Sequence, residues 1–172
     1  MENKIILTGY MGSGKTTVGK LLSNKLGFNY IDLDDFIESK EKKSIKDIFS
    51  TKGEIYFRKL ENNYLIQILD STESLVLSLG GGTPCYSNNH ELLKRKDLKS
   101  IYLKANIDTI FARIKNEKFK RPILSDIAED ELKDFIAQHL FERSYFYLFS
   151  KFIVEVDNKS VEEIVEEILQ LN

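Results

Sequence analysis

Several groups of residues in this chain combine side-chain type and spacing in ways that suit chemistry. Gly9-Tyr10-Met11-Gly12-Ser13-Gly14-Lys15-Thr16 fits the phosphate-binding pattern G-x-x-x-x-G-K-[ST] at every specified position. Glycines let successive amides turn inward around a polyphosphate, and a helix that follows begins with unpaired N–H groups and a partial positive charge. Lys15 then reaches the β- and γ-phosphates, and the Thr16 hydroxyl is placed for a magnesium ion. The pattern predicts a nucleotide triphosphate site.

Asp32 and Asp34 stand two apart at the end of an apolar run, so a persisting strand points both to the side of the phosphate loop. One carboxylate then holds magnesium-bound water while the other hydrogen-bonds or deprotonates an acceptor hydroxyl. The competing reading is a helix cap, the role assigned to Asp35. Glu54, Arg58 and Glu61 share one face of a helical pattern, which reads equally as a surface ion-pair ladder or as an arginine fork for a substrate carboxylate. Gly80, Gly81 and Gly82 suit close approach of a small ligand to backbone amides, or a plain turn. Arg121 stands in the basic segment Lys115, Lys118, Lys120, Arg121, where it either neutralises a transferring phosphoryl group or solvates a loop. Arg143 sits among aromatics and needs an acid or a bound anion as partner. Cys85, His90 and His139 read as packing or surface residues without catalytic roles.

The elements that must position these residues follow from hydrophobic patterning. Strand candidates cover 4–8, 29–33, 74–79, 99–104 and 152–156, with helical patterns between most of them. This alternation predicts an α/β fold: a parallel sheet covered by helices on both faces, with ligands beyond the carboxyl ends of the strands near residues 8, 33 and 79. Residues 53–69 read as a helix burying Phe57, Leu60, Tyr64 and Ile68. Ser160 and Glu163 form a capping box ahead of the stripe Val161, Ile164, Val165, Ile168, Leu169. Residues 115–125 lack apolar periodicity and read as a mobile lid over the phosphates.

Composition sets bounds on the rest. A chain of 172 residues suits a single domain with a substantial core, and its net charge of −2 gives no general reason to expect nucleic acid as a partner. One cysteine excludes an internal disulfide and a cysteine-rich metal cluster. No apolar run reaches the span of a membrane helix, and the first strand starts too early for a signal peptide, so a cytoplasmic location without a membrane partner is expected.

Taken in order, the motifs resemble the shikimate kinase family of small P-loop kinases. Gly9 to Thr16 is similar to the family's phosphate loop and Asp32-Leu33-Asp34 to its D-x-D. Gly53-Glu54 with Phe57-Arg58 and Glu61 resembles its GE…FR…E helix. Leu79-Gly80-Gly81-Gly82 resembles its LGGG segment, Arg121-Pro122-Ile123-Leu124 its lid motif, and Arg143 with Tyr147 its R-x-x-x-Y. The resemblance implies a P-loop NTPase-type three-layer sandwich with a five-stranded parallel sheet in the order 2-3-1-4-5, a substrate-binding helical segment over about 34–62 and a lid over about 115–125. It also implies phosphorylation of the shikimate 3-hydroxyl, with ATP as co-substrate, Mg2+ as cofactor and a monomer as working unit.

The roles it implies are specific. Lys15, Asp34 and Arg121 would be catalytic; Gly12, Ser13, Gly14, Lys15, Thr16, Thr17, Arg113 and Arg121 would bind ATP. Asp34, Arg58, Gly80, Gly81, Gly82 and Arg143, walled by Phe49 and Phe57, would hold shikimate, and Thr16 and Asp32 the metal. The chain departs from the family in having Ser144 and Tyr145, not a proline, after Arg143, and no arginine near Asn158 and Lys159 for the late adenine contact. Rival readings are a gluconate or nucleoside monophosphate kinase, or a nucleotide-binding module without turnover; neither uses Asp34, Arg58, Arg121 and Arg143 together.

Overall fold

Five short strands pair in parallel as one sheet, in the order β2-β3-β1-β4-β5. The strands are β1 (Lys4–Thr8), β2 (Asn29–Asp32), β3 (Leu75–Ser78), β4 (Lys99–Lys104) and β5 (Phe152–Glu155). This computed structural model describes residues 3–115, 127, 128 and 130–171. The expected lid, with Arg121, Pro122, Ile123 and Leu124, lies outside the described residues except for Lys115.

All five residues of β1 are buried, as a central parallel strand covered on both faces requires. Side chains alternate between two cores. Ile5 and Leu7 join Val76, Ile101 and Leu103 against α1 (Lys15–Leu26), α6 (Ile107–Ile114), α7 (Leu132–Tyr147) and α8 (Val161–Gln170). Ile6 joins Leu75 and Leu77 on the other face, against α2 (Leu33–Glu41), α3 (Ile45–Lys52) and α4 (Glu54–Asp70). The short α5 (Asn89–Leu92) follows a 3-10 turn, Thr83–Cys85, beyond β3. The three layers thus arise from alternating side chains on strands whose neighbours are all parallel.

Helix boundaries have local causes. α1 stops at Gly27, whose φ of 68° lets its N–H reach back to the carbonyls of Ser23 and Asn24. α8 opens with the complete capping box of Ser160 and Glu163, and Leu169 turns out more than a third exposed at the edge of its stripe. In α4 the buried line runs through Phe57, Glu61, Leu65, Ile68 and Leu69, while Leu60 and Tyr64 are only partly buried. No helix among the described residues is long and apolar enough to cross a membrane.

Register creates the cleft. Leu7 and Asp32 both pair with Ser78, so the carboxyl ends of β1, β2 and β3 lie side by side. The three loops that leave them must share one space.

Candidate active site

The phosphate loop connects β1 to α1. Gly12 and Gly14 adopt φ of 79° and 99°, which side-chain-bearing residues rarely accept, and Gly14 is the N-cap of α1. The first helical bond runs from Val18 N–H to the Gly14 carbonyl, so the amides of Lys15, Thr16 and Thr17 have no partner within the helix. Thr17 is exposed in this first turn. Lys15 Nζ donates to the carbonyls of Gly9 (2.8 Å) and Tyr10 (3.0 Å), holding the ammonium at the loop. Ser13 is buried with its hydroxyl unpaired among the described residues. Arg113 Nη1 donates to the Gly12 carbonyl at 3.1 Å, placing its guanidinium on the outer edge of the loop.

Asp32 ends β2, and α2 begins at the next residue. Asp32, not Asp35, is therefore the N-cap: its Oδ1 accepts the Asp34 N–H at 3.1 Å. The expectation that strand alternation brings Asp32 and Asp34 together gives way to this capping turn, which sets them adjacent by a different geometry. Asp32 Oδ2 lies 3.5 Å from Thr16 Oγ1. Burial raises the Asp32 carboxyl above its usual range, helped by Asp35. Burial raises Asp34 further, to about 7, reinforced by Asp32 and Glu61 and opposed by Lys15 and Arg58.

Arg58 projects from α4, half-buried. Its Nη1 donates to Glu61 at 2.9 Å, and its Nε lies 3.4 Å from Glu54. Phe49 and Phe57 pack on each other with ring centroids 4.7 Å apart, beside the guanidinium. Arg143 comes from α7; among the described residues it has no carboxylate partner, and Glu142 is engaged instead by Gln138.

The glycine run lies against these side chains. A Cβ on Gly80 would stand 2.9 Å from Asp34 Oδ1, one on Gly81 3.6 Å from Arg143 Nη1 and 3.5 Å from the Met11 amide nitrogen, and one on Gly82 3.0 Å from Arg58 Nη2. Each glycine thus faces one charged side chain, and the phosphate loop adjoins the middle one. Tyr147, buried one turn after Arg143, donates its hydroxyl to the Gly81 carbonyl at 2.6 Å and ties α7 to the run.

Two residues gain importance that periodicity did not assign them. Glu61, placed by spacing on a surface ladder, is 1% exposed and accepts from both Arg58 and the Thr83 hydroxyl (2.6 Å). A carboxylate at i+3 from an arginine within GE…FR…E was the available signal; its burial required knowing that the Thr83 turn covers it. Tyr10, an unspecified position of the phosphate loop, is buried and meets His139 Nδ1 at 3.0 Å, which links the loop to α7. Burial, followed by the nearby Arg143, lowers the His139 pKa. Cys85 is partly buried and its thiol is pushed up to about 11 by burial, against the pull of Arg143 and Arg58, so it is protonated and unreactive.

Comparison with known proteins bears on the chain as a whole. A family model described as shikimate kinase matches residues 11–172. The chain is 49% identical over 168 residues to a shikimate kinase of Flavobacterium johnsoniae, covering 98% of each. The crystal structure of shikimate kinase from Bacteroides thetaiotaomicron superposes with a TM-score of 0.88 at 39% identity, covering 98% of both chains. The solved structure of the Acinetobacter baumannii shikimate kinase in complex with shikimate gives a TM-score of 0.84 at 31% identity, over 97% of this chain and 90% of the other. Matches of this extent, end to end and on the same fold, establish that the chain belongs to the shikimate kinase family.

Proposed function

We propose that this chain transfers the γ-phosphoryl group of ATP to the 3-hydroxyl of shikimate, giving ADP and shikimate 3-phosphate in aromatic amino-acid biosynthesis. The observation that carries the assignment of residues is the pairing of Gly80, Gly81 and Gly82 with Asp34, Arg143 and Arg58, directly beside the phosphate loop. Side chains there would fill the space that a compact, carboxylated polyol needs. A nucleoside monophosphate acceptor would instead need a surface for its base.

Roles follow from position. Arg58 and Arg143 clamp the carboxylate; Arg143, half-buried without an acid partner among the described residues, is suited to a ligand anion. Asp34 accepts the proton of the 3-hydroxyl as its oxygen forms a bond to the γ-phosphorus and the bond to the ADP oxygen breaks. An acid held near neutrality is poised for that transfer. Phe49 and Phe57 wall the ring, and the amides of the glycine run meet its hydroxyls. On the donor side, the amides of Gly12 to Thr17 and Lys15 hold the polyphosphate, Arg113 lies toward the nucleoside, and Arg121, from its lid motif, neutralises the transferred group. The working unit proposed is a monomer.

The residues present fit magnesium. Thr16 Oγ1 and Asp32 Oδ2 offer two hard oxygens 3.5 Å apart at the phosphate loop, and among the described residues no cluster of three His, Cys, Asp or Glu groups supplies an all-protein cage. That sparse set matches an ion that keeps waters and substrate phosphates as ligands. Bound there, it would neutralise phosphate charge.

Release of ADP with ATP and magnesium, on adding shikimate but not gluconate or nucleoside monophosphates, is the expected result. Silence with shikimate, or equal turnover with the others, overturns the assignment. Arg58→Ala is expected to raise the KM for shikimate far more than that for ATP; equal effects would return Arg58 to a purely structural ladder.

A further inference from the structure

Arg58 is restrained on more sides than an ion pair needs. Two of its nitrogens face Glu61 and Glu54, while Nη2 has no hydrogen bond among the described residues and lies against Gly82. The guanidinium also lies over aromatic rings. Its Cζ lies 4.0 Å from the centroid of the Tyr86 ring, nearer than Phe57 at 5.1 Å or Phe49 at 5.9 Å.

The loop that carries Tyr86 is built to hold it there. Thr83 bonds to Glu61, the same buried carboxylate that takes Arg58. Asn89, fully buried, donates its Nδ2 to the Thr83 carbonyl at 2.8 Å, accepts from Asn62 of α4 at 2.7 Å, and donates its backbone N–H to the Tyr86 carbonyl at 2.9 Å. Between these anchors Ser87 and Asn88 take φ of 52° and 58°, an arrangement that persists only where the surroundings over-determine it. On the solvent side a groove of about 300 Å³, lined by Glu54, Ile55, Arg58, Lys59, Tyr86 and Ser87, opens beside the guanidinium. Without the Tyr86 ring the arginine has room to swing into it.

We infer that Tyr86 is a positioning residue for the acceptor: its ring face sets the plane of the Arg58 fork, so that Nη2 and the remaining Nη1 hydrogen meet the substrate carboxylate. Planar, two-pronged recognition of a carboxylate depends on the orientation of the guanidinium plane, and an aromatic face holds that plane without competing for its N–H groups. Tyr86 touches neither donor nor reacting atoms in this role, and it is 37% exposed, so it is not a pillar of the core. The inference rests on Arg58 binding the acceptor carboxylate, as proposed above.

Its test is steady-state kinetics of the full chain and its Tyr86→Ala, Tyr86→Leu, Tyr86→Phe and Arg58→Lys variants, with melting temperatures as a check on folding. Loss of the stacked face is expected to raise the KM for shikimate by roughly five- to thirty-fold in Tyr86→Ala and Tyr86→Leu, with the KM for ATP within about twofold. Tyr86→Phe recovers the low shikimate requirement, because the face and not the hydroxyl acts. An unchanged shikimate KM in Tyr86→Leu, equal rises for both substrates, or a Phe variant as impaired as Leu overturns the inference. Arg58→Lys separates the two readings. If it leaves the shikimate KM unchanged, the carboxylate role of Arg58 fails; if it raises that KM while the Tyr86 variants do not, only the role of Tyr86 fails.

Discussion

Asp34 is buried beside Asp32 and Glu61, and burial and both neighbouring carboxylates favour its protonated form. Two consequences follow at the scale of this residue. If Asp34 must be ionised to take the hydroxyl proton, kcat/KM for shikimate falls about tenfold per unit as pH drops below about 7. Asp34→Asn lowers turnover by roughly 10² to 10⁴ and flattens that limb. The second consequence concerns stability. The folded-state pKa lies above the ordinary value of 3.8, so the folded chain binds more protons between about 4 and 7, and stability is lost as pH rises through that window. Asp34→Asn is expected to remove the slope and to resist urea better than the parent at pH 8; equal midpoints would mean that the carboxylate is not desolvated. The D-x-D spacing made Asp34 legible in the sequence, but Glu61, which helps set its proton affinity, arrives from α4.

At the scale of elements, the site depends on how loops meet. Gly80→Ala would put a methyl group 2.9 Å from Asp34 Oδ1 and 3.0 Å from Thr83 Oγ1. Both are ends of side chains that can yield, so the expected result is a folded protein whose turnover drops by about 10²-fold, the order of loss that a misplaced catalytic group brings. Retained turnover would show that Asp34 tolerates displacement. Ser160→Ala provides the contrast: it removes half of the capping box of α8, at a residue with no proposed contact to either ligand, and is expected to cost about 1 kcal/mol in urea unfolding with kcat unchanged. Capping at α8 was plain from Ser160 and Glu163 because both partners lie within one turn. Capping at α2 was not, because β2 runs straight into the helix and gives the cap to Asp32.

At the scale of the whole molecule, the phosphate loop joins β1 to α1 while the arginines proposed to hold the acceptor come from α4 and α7, so each ligand is expected to stabilise the fold through its own contacts. Shikimate at about 100 times its Kd adds about 2.7 kcal/mol, which for a chain of this size is a rise of roughly 5–10 °C in Tm. In Arg58→Ala the shift at the same shikimate concentration should shrink, while that from ATP with magnesium persists. A loss of both would mean that Arg58 supports the fold and not the acceptor. Thermal shift measurements with each ligand alone distinguish these outcomes.

The sequence by itself determined what depends on short range. Strand and helix periodicity, the phosphate loop and its following helix, and the capping box of α8 rest on residues within a few positions of one another. The ordered motifs made the family and the strand order legible, and the described sheet has that order. Only tertiary structure decided what depends on burial and approach between distant segments. It buried Glu61 under the Thr83 turn, brought Tyr86 onto Arg58, joined Tyr10 to His139 across 129 positions, and set three glycines against three charged side chains. Periodicity tells which face of an element turns inward, but desolvation and side-chain contact depend on which other element comes to cover that face.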